Sequence, residues 1–563
     1  MGAGNGERNG DTGGRGLGRR ALLGLGVASG AGVVAAGGGG VAFATESAAD
    51  ADGGSGAGSA STWPAELDIA GAQARMASGA LTAVALTGFY LDRIERLDKR
   101  GPTLRAVIQV NPDALRDAAA LDAERRARGP RGILHGIPIL LKDNLDTAGR
   151  LRTTAGSLAM LGSRPERDST VADRLRAAGA ILLGKANLSE WAGGTSWPRS
   201  GGWSAVGGQC RNPYKLDRSP NESSSGSAAA TAANLCTAAI GTETDGSILS
   251  PAGANALVGL KPTVGLVGRG GLIPGTFSQD SVGPLCRTVA DAAAILGRLV
   301  GVDPRDPATR DSVGHDHPDY TRFLDRDALA GARIGIPRDV YFGYSPRADA
   351  VAHQAIEVMR AAGAVIVDPA DIPTARELAS TDVNFIVILT EMAHGLGAYL
   401  AETPGEHPRT IAELVAFNRE HADRELPYFG QEGLEILAGA SGDRTDPTYL
   451  KALATMRSLA REQGIDAVLR QHRLDALVMP TGGPPGKIDL LNGDYSAGSS
   501  SQAAALAGYP AITVPAGWCS DLPVGITFVG TAWSEPTLIR LAYAYEQATL
   551  ARRTPRFLPA DVG

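Results

Sequence analysis

Residues 221–251 read NESSSGSAAATAANLCTAAIGTETDGSILSP, and the architecture turns on this stretch. A Ser/Gly turn leads into an Ala-rich helix, a short strand follows, and a second Gly-Ser turn closes at Gly246 and Ser247. A linker can share this composition. Here, though, the Ala residues recur inside an apolar pattern, and the small side chains cluster where backbone must approach backbone or ligand closely.

On the N-terminal side, residues 133–141 read as a buried strand, and 170–177 as a helix feeding a strand at 180–183. Further back, residues 64–128 carry apolar positions at helical spacing, as in Leu86, Tyr90, Leu91 and Ile94, with Pro112 and Gly129 as punctuation. These are expected to be outer helices. On the C-terminal side, strands are expected at 333–336, 364–367, 474–479, 511–514 and 525–529, with helices between most of them. The alternation predicts a single large α/β domain whose central mixed, mostly parallel β-sheet is covered by helices on both faces.

Residues 63–563 are assigned to that domain. Ahead of it, 45–62 is small, acidic and Gly/Ser-rich and reads as a flexible linker. Residues 1–44 read as an export signal: Arg15, Arg19 and Arg20 precede an apolar run at 21–36, and Ala42 and Ala44 flank Phe43 as an A-x-A cleavage site. The Arg19–Arg20 pair is similar to a twin-arginine signal, with Leu22 where Phe is usual. The expected destination is the cell envelope or beyond, with no stable membrane insertion of the mature chain.

Charged residues make up 20 % of the chain and the net charge is −6, which gives no electrostatic footprint of a nucleic-acid partner. Four widely spaced cysteines fit free thiols better than a disulfide framework. His315 and His317 flank an Asp but have no third ligand nearby, so an exposed turn is expected rather than a metal site. There is no H-E-x-x-H, no Walker A loop and no G-x-S-x-G elbow. Neither a metal nor an organic cofactor is expected.

Three motifs resemble the amidase signature family. Ser223 and Ser247 stand 24 positions apart, the second within T-D-G-S-I. Residues 136–143 read GIPILLKD, matching a strand closed by the family's lysine at Lys142. GLKPTVGLV at 259–267 and SQDSVGPLCRTVADA at 278–292 extend the likeness, which spans roughly 64–555. GTETDGSI, GLKPTVGLV and GTAWSEPTLI at 530–539 are most like bacterial peptide amidases, which remove the C-terminal amide of peptides.

The resemblance implies a Ser-Ser-Lys relay: Ser247 as nucleophile, Ser223 as bridge and Lys142 as unprotonated base, with a cis peptide bond before Ser223. A lysine pKa of about 10.4 must fall to roughly 7–8 for that role, and the apolar strand end at 137–141 offers the desolvation. Ser224 and Ser225 are adjacent alternatives, with Ser224 expected to hydrogen-bond the lysine. Successive N–H groups of Thr244, Asp245, Gly246 and Ser247 are candidates for an oxyanion hole, each such donor being worth about 3 kcal/mol. Gly246 is expected to leave room for substrate. Taken alone, T-D-G-S also fits a type I turn.

Glu222 departs from the family's usual Gly; turned inward it would raise the pKa of Lys142, so it is expected to face solvent or the amino end of a substrate. Leu249 and Ser250 also differ, in a way expected to affect packing. The implied partner is a peptide amide or a small amide. Three alternatives are a general aliphatic or aryl amidase, a secreted binding protein on an impaired scaffold, and an intracellular subunit that passes ammonia to a charged tRNA. The last conflicts with the export signal and the acidic balance.

Overall fold

The computed structural model describes residues 66–560. The expected signal at 1–44 and linker at 45–62 lie outside the described residues.

Thirteen strands are formed among the described residues: β1 Val107–Val110, β2 Pro138–Lys142, β3 Gly162–Ser163, β4 Ile181–Ala186, β5 Ala238–Glu243, β6 Val258–Lys261, β7 Ser281–Cys286, β8 Arg333–Gly335, β9 Val365–Val367, β10 Gly405–Glu406, β11 Ala476–Pro480, β12 Ala511–Cys519 and β13 Leu522–Val529. Eleven make one sheet in the order β1-β4-β2-β5-β7-β6-β12-β13-β11-β8-β9, while β3 and β10 pair separately. The sheet thus divides into two contiguous parts. Its strands from β1 to β7 come from the first half of the chain and those from β8 to β13 from the second, and the parts meet where Lys261, Leu260 and Gly259 of β6 face Ala511, Ile512 and Thr513 of β12.

Every residue of β2, β4, β5, β6, β7 and β11 is buried, as befits strands covered on both faces by helices. Helices Val289–Leu299, Pro346–Ala361 and Glu535–Thr549 pack on the sheet and on one another, and Ser225–Ala232 and Leu249–Ala254 form a second group against β5, β6 and β12. The sheet is mixed, as expected. Its expected parallel majority does not hold: β4–β2, β2–β5, β11–β8 and β8–β9 are parallel, and the other neighbours are antiparallel. The cause lies in two places. The segments at 511 and 525 extend into one long hairpin, and β6 and β7, not anticipated as strands, both enter against their neighbours.

Boundaries moved for local reasons. The strand expected from 133 starts at Pro138 because Gly136, at φ +80°, turns the chain just before it. The helix expected at 170–177 is observed as Thr170–Ala177, its N-terminus capped by the Ser169 hydroxyl accepting from the Ala172 N–H. β1 interrupts the expected outer helices at Val107–Val110, a β-branched run that pairs with the edge of β4. The four cysteines are free thiols. His315 stacks on Trp533 with ring centroids 5.0 Å apart.

Candidate active site

Lys142 ends β2, and parallel pairing with β5, which sets Leu141 against Ile240, brings its side chain to Thr242 near the carboxyl end of that strand. Its side chain is fully buried. Nζ lies 2.8 Å from Ser223 Oγ, 3.0 Å from Thr242 Oγ1 and 3.2 Å from the Thr242 carbonyl oxygen. Ser223 Oγ lies in turn 2.9 Å from Ser247 Oγ. The three residues singled out by motif and spacing therefore form one unbroken hydrogen-bonded chain, and the Glu222–Ser223 peptide bond is cis.

Burial lowers the Lys142 pKa to about 7, against the opposing pull of Asp280, Glu243 and then Glu222. A fall of that size means burial disfavours the ammonium form by on the order of 5 kcal/mol.

Two short segments hold the serines in place. Helix Ser225–Ala232 begins just after Ser223, and the Ser224 N–H donates to the Ser247 carbonyl at 3.2 Å, which ties one serine turn to the other. On the second turn, the Glu243 carboxylate accepts from the N–H groups of Ile248 at 2.7 Å and Leu249 at 2.9 Å. The turn runs through Gly246 at φ +81°, a conformation that L side chains rarely adopt. A Cβ there would also meet Ser501 and Ser250 hydroxyls at 2.9 and 3.0 Å. Gly246 is thus needed for the backbone and for packing against these serines, and the expected clearance for substrate is not what it supplies. The N–H groups of Thr244, Asp245 and Gly246 donate to no protein acceptor among the described residues.

Ser224 corrects a second expectation. Its hydroxyl donates to the Thr242 carbonyl at 3.1 Å and accepts from the Thr242 N–H at 3.2 Å, with no bond to the lysine. It fixes the residue that holds Lys142. Gly241 makes this contact possible, because a Cβ there would stand 2.8 Å from the Ser224 hydroxyl.

Ser247, Thr244 and Asp245 open on a cavity of about 160 Å³, whose walls include Trp191, Ile273, Pro274, Ile388, Met392 and Leu396. A larger open cavity of about 590 Å³ shares Leu272, Pro274, Thr276 and Asp280 with it but contains neither serine. Asp245 is held by the Ser501 hydroxyl at 2.5 Å, and burial raises its pKa to about 6. Glu222 does not face open solvent: its carboxylate accepts from Arg199 Nε at 2.7 Å and Nη2 at 2.8 Å, and both side chains line the cavity.

Several residues here were not anticipated. Thr242 lies in the GTETDGS motif and Asn144 just after the lysine motif; Asn144 Nδ2 donates to Thr242 Oγ1 at 3.0 Å. Asp280 sits in the matched 278–292 segment, accepting from the Thr244 hydroxyl at 2.6 Å and from the N–H groups of Gly275 and Thr276 at 2.8 Å. No sequence signal marks Arg199 or the apolar wall from helix Val383–Glu402.

The amidase family model matches residues 85–539. The chain is 42 % identical to a probable amidase of Arabidopsis thaliana over 486 residues, covering 85 % of this chain and 89 % of that one. It is 38 % identical over 494 residues to a component of the glutamyl-tRNA(Gln) amidotransferase of Chloroflexus aurantiacus, covering 86 % and 96 %. Among solved structures, it is similar to the peptide amidase PAM bound to the competitive inhibitor chymostatin, with a TM-score of 0.84 and 51 % identity over 87 % of this chain and 99 % of that one. Native peptide amidase from Stenotrophomonas maltophilia gives a TM-score of 0.82 and 50 % identity over 88 % and 99 %.

Proposed function

We propose that this chain, which belongs to the amidase signature family and hydrolyses amide C–N bonds, does so through a Ser247–Ser223–Lys142 relay acting on the C-terminal amides of peptides. One observation carries the reading: the continuous contact from Lys142 Nζ through Ser223 Oγ to Ser247 Oγ, with a lysine whose pKa burial lowers to about 7.

A neutral amine has two N–H groups and one lone pair. The Thr242 carbonyl and Oγ1 take the two N–H groups, which leaves the lone pair aimed at Ser223 Oγ. As Ser247 Oγ attacks the amide carbon, its proton passes to Ser223 Oγ and the Ser223 proton to Lys142 Nζ. The oxyanion develops beside the unpaired N–H groups of Thr244, Asp245 and Gly246. Reversing the relay protonates the leaving nitrogen, the C–N bond breaks, and ammonia departs from an acyl ester on Ser247. Water, deprotonated through the same relay, then attacks the ester; the carboxylate is released and Ser247 regains its proton.

The peptide amide as substrate is supported by the 51 % identity to PAM. Ammonia release from peptide amides, measured for the wild type and Ser247→Ala, tests the mechanism; undiminished release by the variant refutes it. A parallel panel of aliphatic and aryl amides tests the substrate, which is wrong if those are cleaved and peptide amides are not. The Arg19–Arg20 signal also supports export, to be checked by the fraction of product found outside the cytoplasm and by its loss when both arginines are replaced by lysine.

A further inference from the structure

Arg199 and Glu222 meet across 23 positions of sequence on the wall of the Ser247 cavity. Their side chains are 22 % and 33 % exposed, so this is a lining group and not a sealed structural bridge. Arg199 uses Nε and Nη2 on Glu222 and Nη1 on the Ser196 carbonyl at 3.2 Å. A guanidinium has five N–H groups and a carboxylate about four acceptor positions, so two donors and two acceptor positions stay open. Glu222, and behind it Asp494 and Glu432, surround the guanidinium with negative field, which keeps it charged despite burial.

The chemistry of this edge is specific. Arg199 and Glu222 neutralise each other while Asp494 and Glu432 add negative field, so the edge offers nothing to a substrate carboxylate. An aliphatic chain laid against it would strip water from both ions and return no hydrogen bond. An extended peptide residue suits it, because the N–H and C=O of one residue point to the same side, as they do when two antiparallel strands exchange both bonds. Glu222 also directly precedes Ser223, so whatever it holds is placed by the same turn that places the relay.

We propose that the Arg199–Glu222 edge is a specificity site that hydrogen-bonds backbone C=O and N–H groups upstream of the scissile amide, and so selects peptide amides over simple amides. The proposal rests on the peptide-amide reading above.

The test pairs substrate and protein changes. An N-acetyl dipeptide amide is compared with its ketomethylene analogue, in which CH2 replaces the upstream N–H without adding an ester to cleave. Ammonia release is followed with the wild type, with Glu222→Gly, and with the double variant Arg199→Met/Glu222→Gly, which removes both members of the pair. The wild type is expected to favour the peptide by about 10- to 100-fold in kcat/KM, the range for one satisfied bond to a charged group. Both variants should reduce that preference to below about threefold. Equal rates for the two compounds with the wild type overturn the inference while leaving the substrate class intact, and so does an undiminished preference in both variants. Ammonia from simple amides with none from either peptide compound overturns the substrate reading and this inference together.

Discussion

Two lysines stand side by side in the sheet. Lys142 ends β2 and Lys185 lies near the end of β4, one register step away, where Leu141 faces Lys185 and Lys142 faces Ala186. Both are fully buried. Their surroundings differ in the kind of atom they offer. Lys185 donates to the carbonyls of Leu145 at 2.8 Å and Arg152 at 3.0 Å and to Thr153 Oγ1 at 2.9 Å, and it pairs with the Asp143 carboxylate at 3.2 Å. Two carbonyls and a carboxylate can only accept, so this site asks for three N–H groups and an ammonium. Burial pushes the Lys185 pKa down and the Asp143 pKa up, and their mutual attraction opposes both shifts. Lys142 has no carboxylate in contact among the described residues, and its third neighbour is a hydroxyl able to give a proton. Equal burial on adjacent strands therefore yields an ion pair at one position and, at the other, a lysine that meets only hydroxyl and carbonyl oxygens.

The largest expected effect follows from that contrast. Lys142→Met should lower kcat/KM by about 10⁴-fold, near 5 kcal/mol in the barrier, because the relay acts as a unit. Ammonia release with purified, folded variant checks it, and more than a tenth of the wild-type rate would erase the distinction between the two lysines.

Lys185→Met should instead cost about 3–5 kcal/mol of stability, since it strands the Asp143 carboxylate in the interior. Denaturant unfolding measures this, and an equal loss in Lys142→Met would count against the contrast.

Acidity separates them further. Folded Lys142 releases its proton near pH 7, whereas the unfolded lysine holds its proton to about 10.5, so between these values the unfolded chain binds more protons. Stability from this group must rise with pH there, by roughly 2–3 kcal/mol from pH 7 to 9, relative to Lys142→Met over the same range. The same titration should appear as an acidic limb in kcat/KM, falling about tenfold per pH unit below 7. A flat profile from pH 5 to 8 would remove Lys142 from the base role.

The smallest effect concerns Thr242→Val. Losing Oγ1 takes one acceptor from Lys142 and one from Asn144, with an expected fall in kcat of about fivefold, near 1 kcal/mol. A change below twofold would mean that the carbonyl alone orients the amine.

Lys142, Ser223 and Ser247 were legible because Lys142 and Ser247 sit in short motifs that resemble the family's, one at a strand end and one in a Gly-Ser turn, and the 24-residue spacing from Ser247 picks out Ser223. Arg199, Met392 and Leu396 were not, because they reach the cavity from segments remote in sequence and nothing in their own neighbourhoods marks them. Strand direction was illegible for a related reason. A strand buried on both faces is a continuous apolar run whether its neighbour is parallel or antiparallel, so β6 and β7 gave no hint of their sense. Glu222 was visible as an anomaly, but its outcome depended on Arg199, which no motif connects to it.

The seam between β6 and β12 has a consequence for how such enzymes diversify. Every residue of the proposed relay comes from the first half of the chain, Lys142 from β2 and the serines from turns on either side of Ser225–Glu243, whereas Ile388, Met392 and Leu396 on the cavity wall belong to helix Val383–Glu402 in the second half. Recombination or grafting that exchanges residues 383–402 would replace that part of the cavity wall while leaving the Lys142–Ser223–Ser247 contacts in place, so the shape of the cavity can drift faster than the groups at its floor.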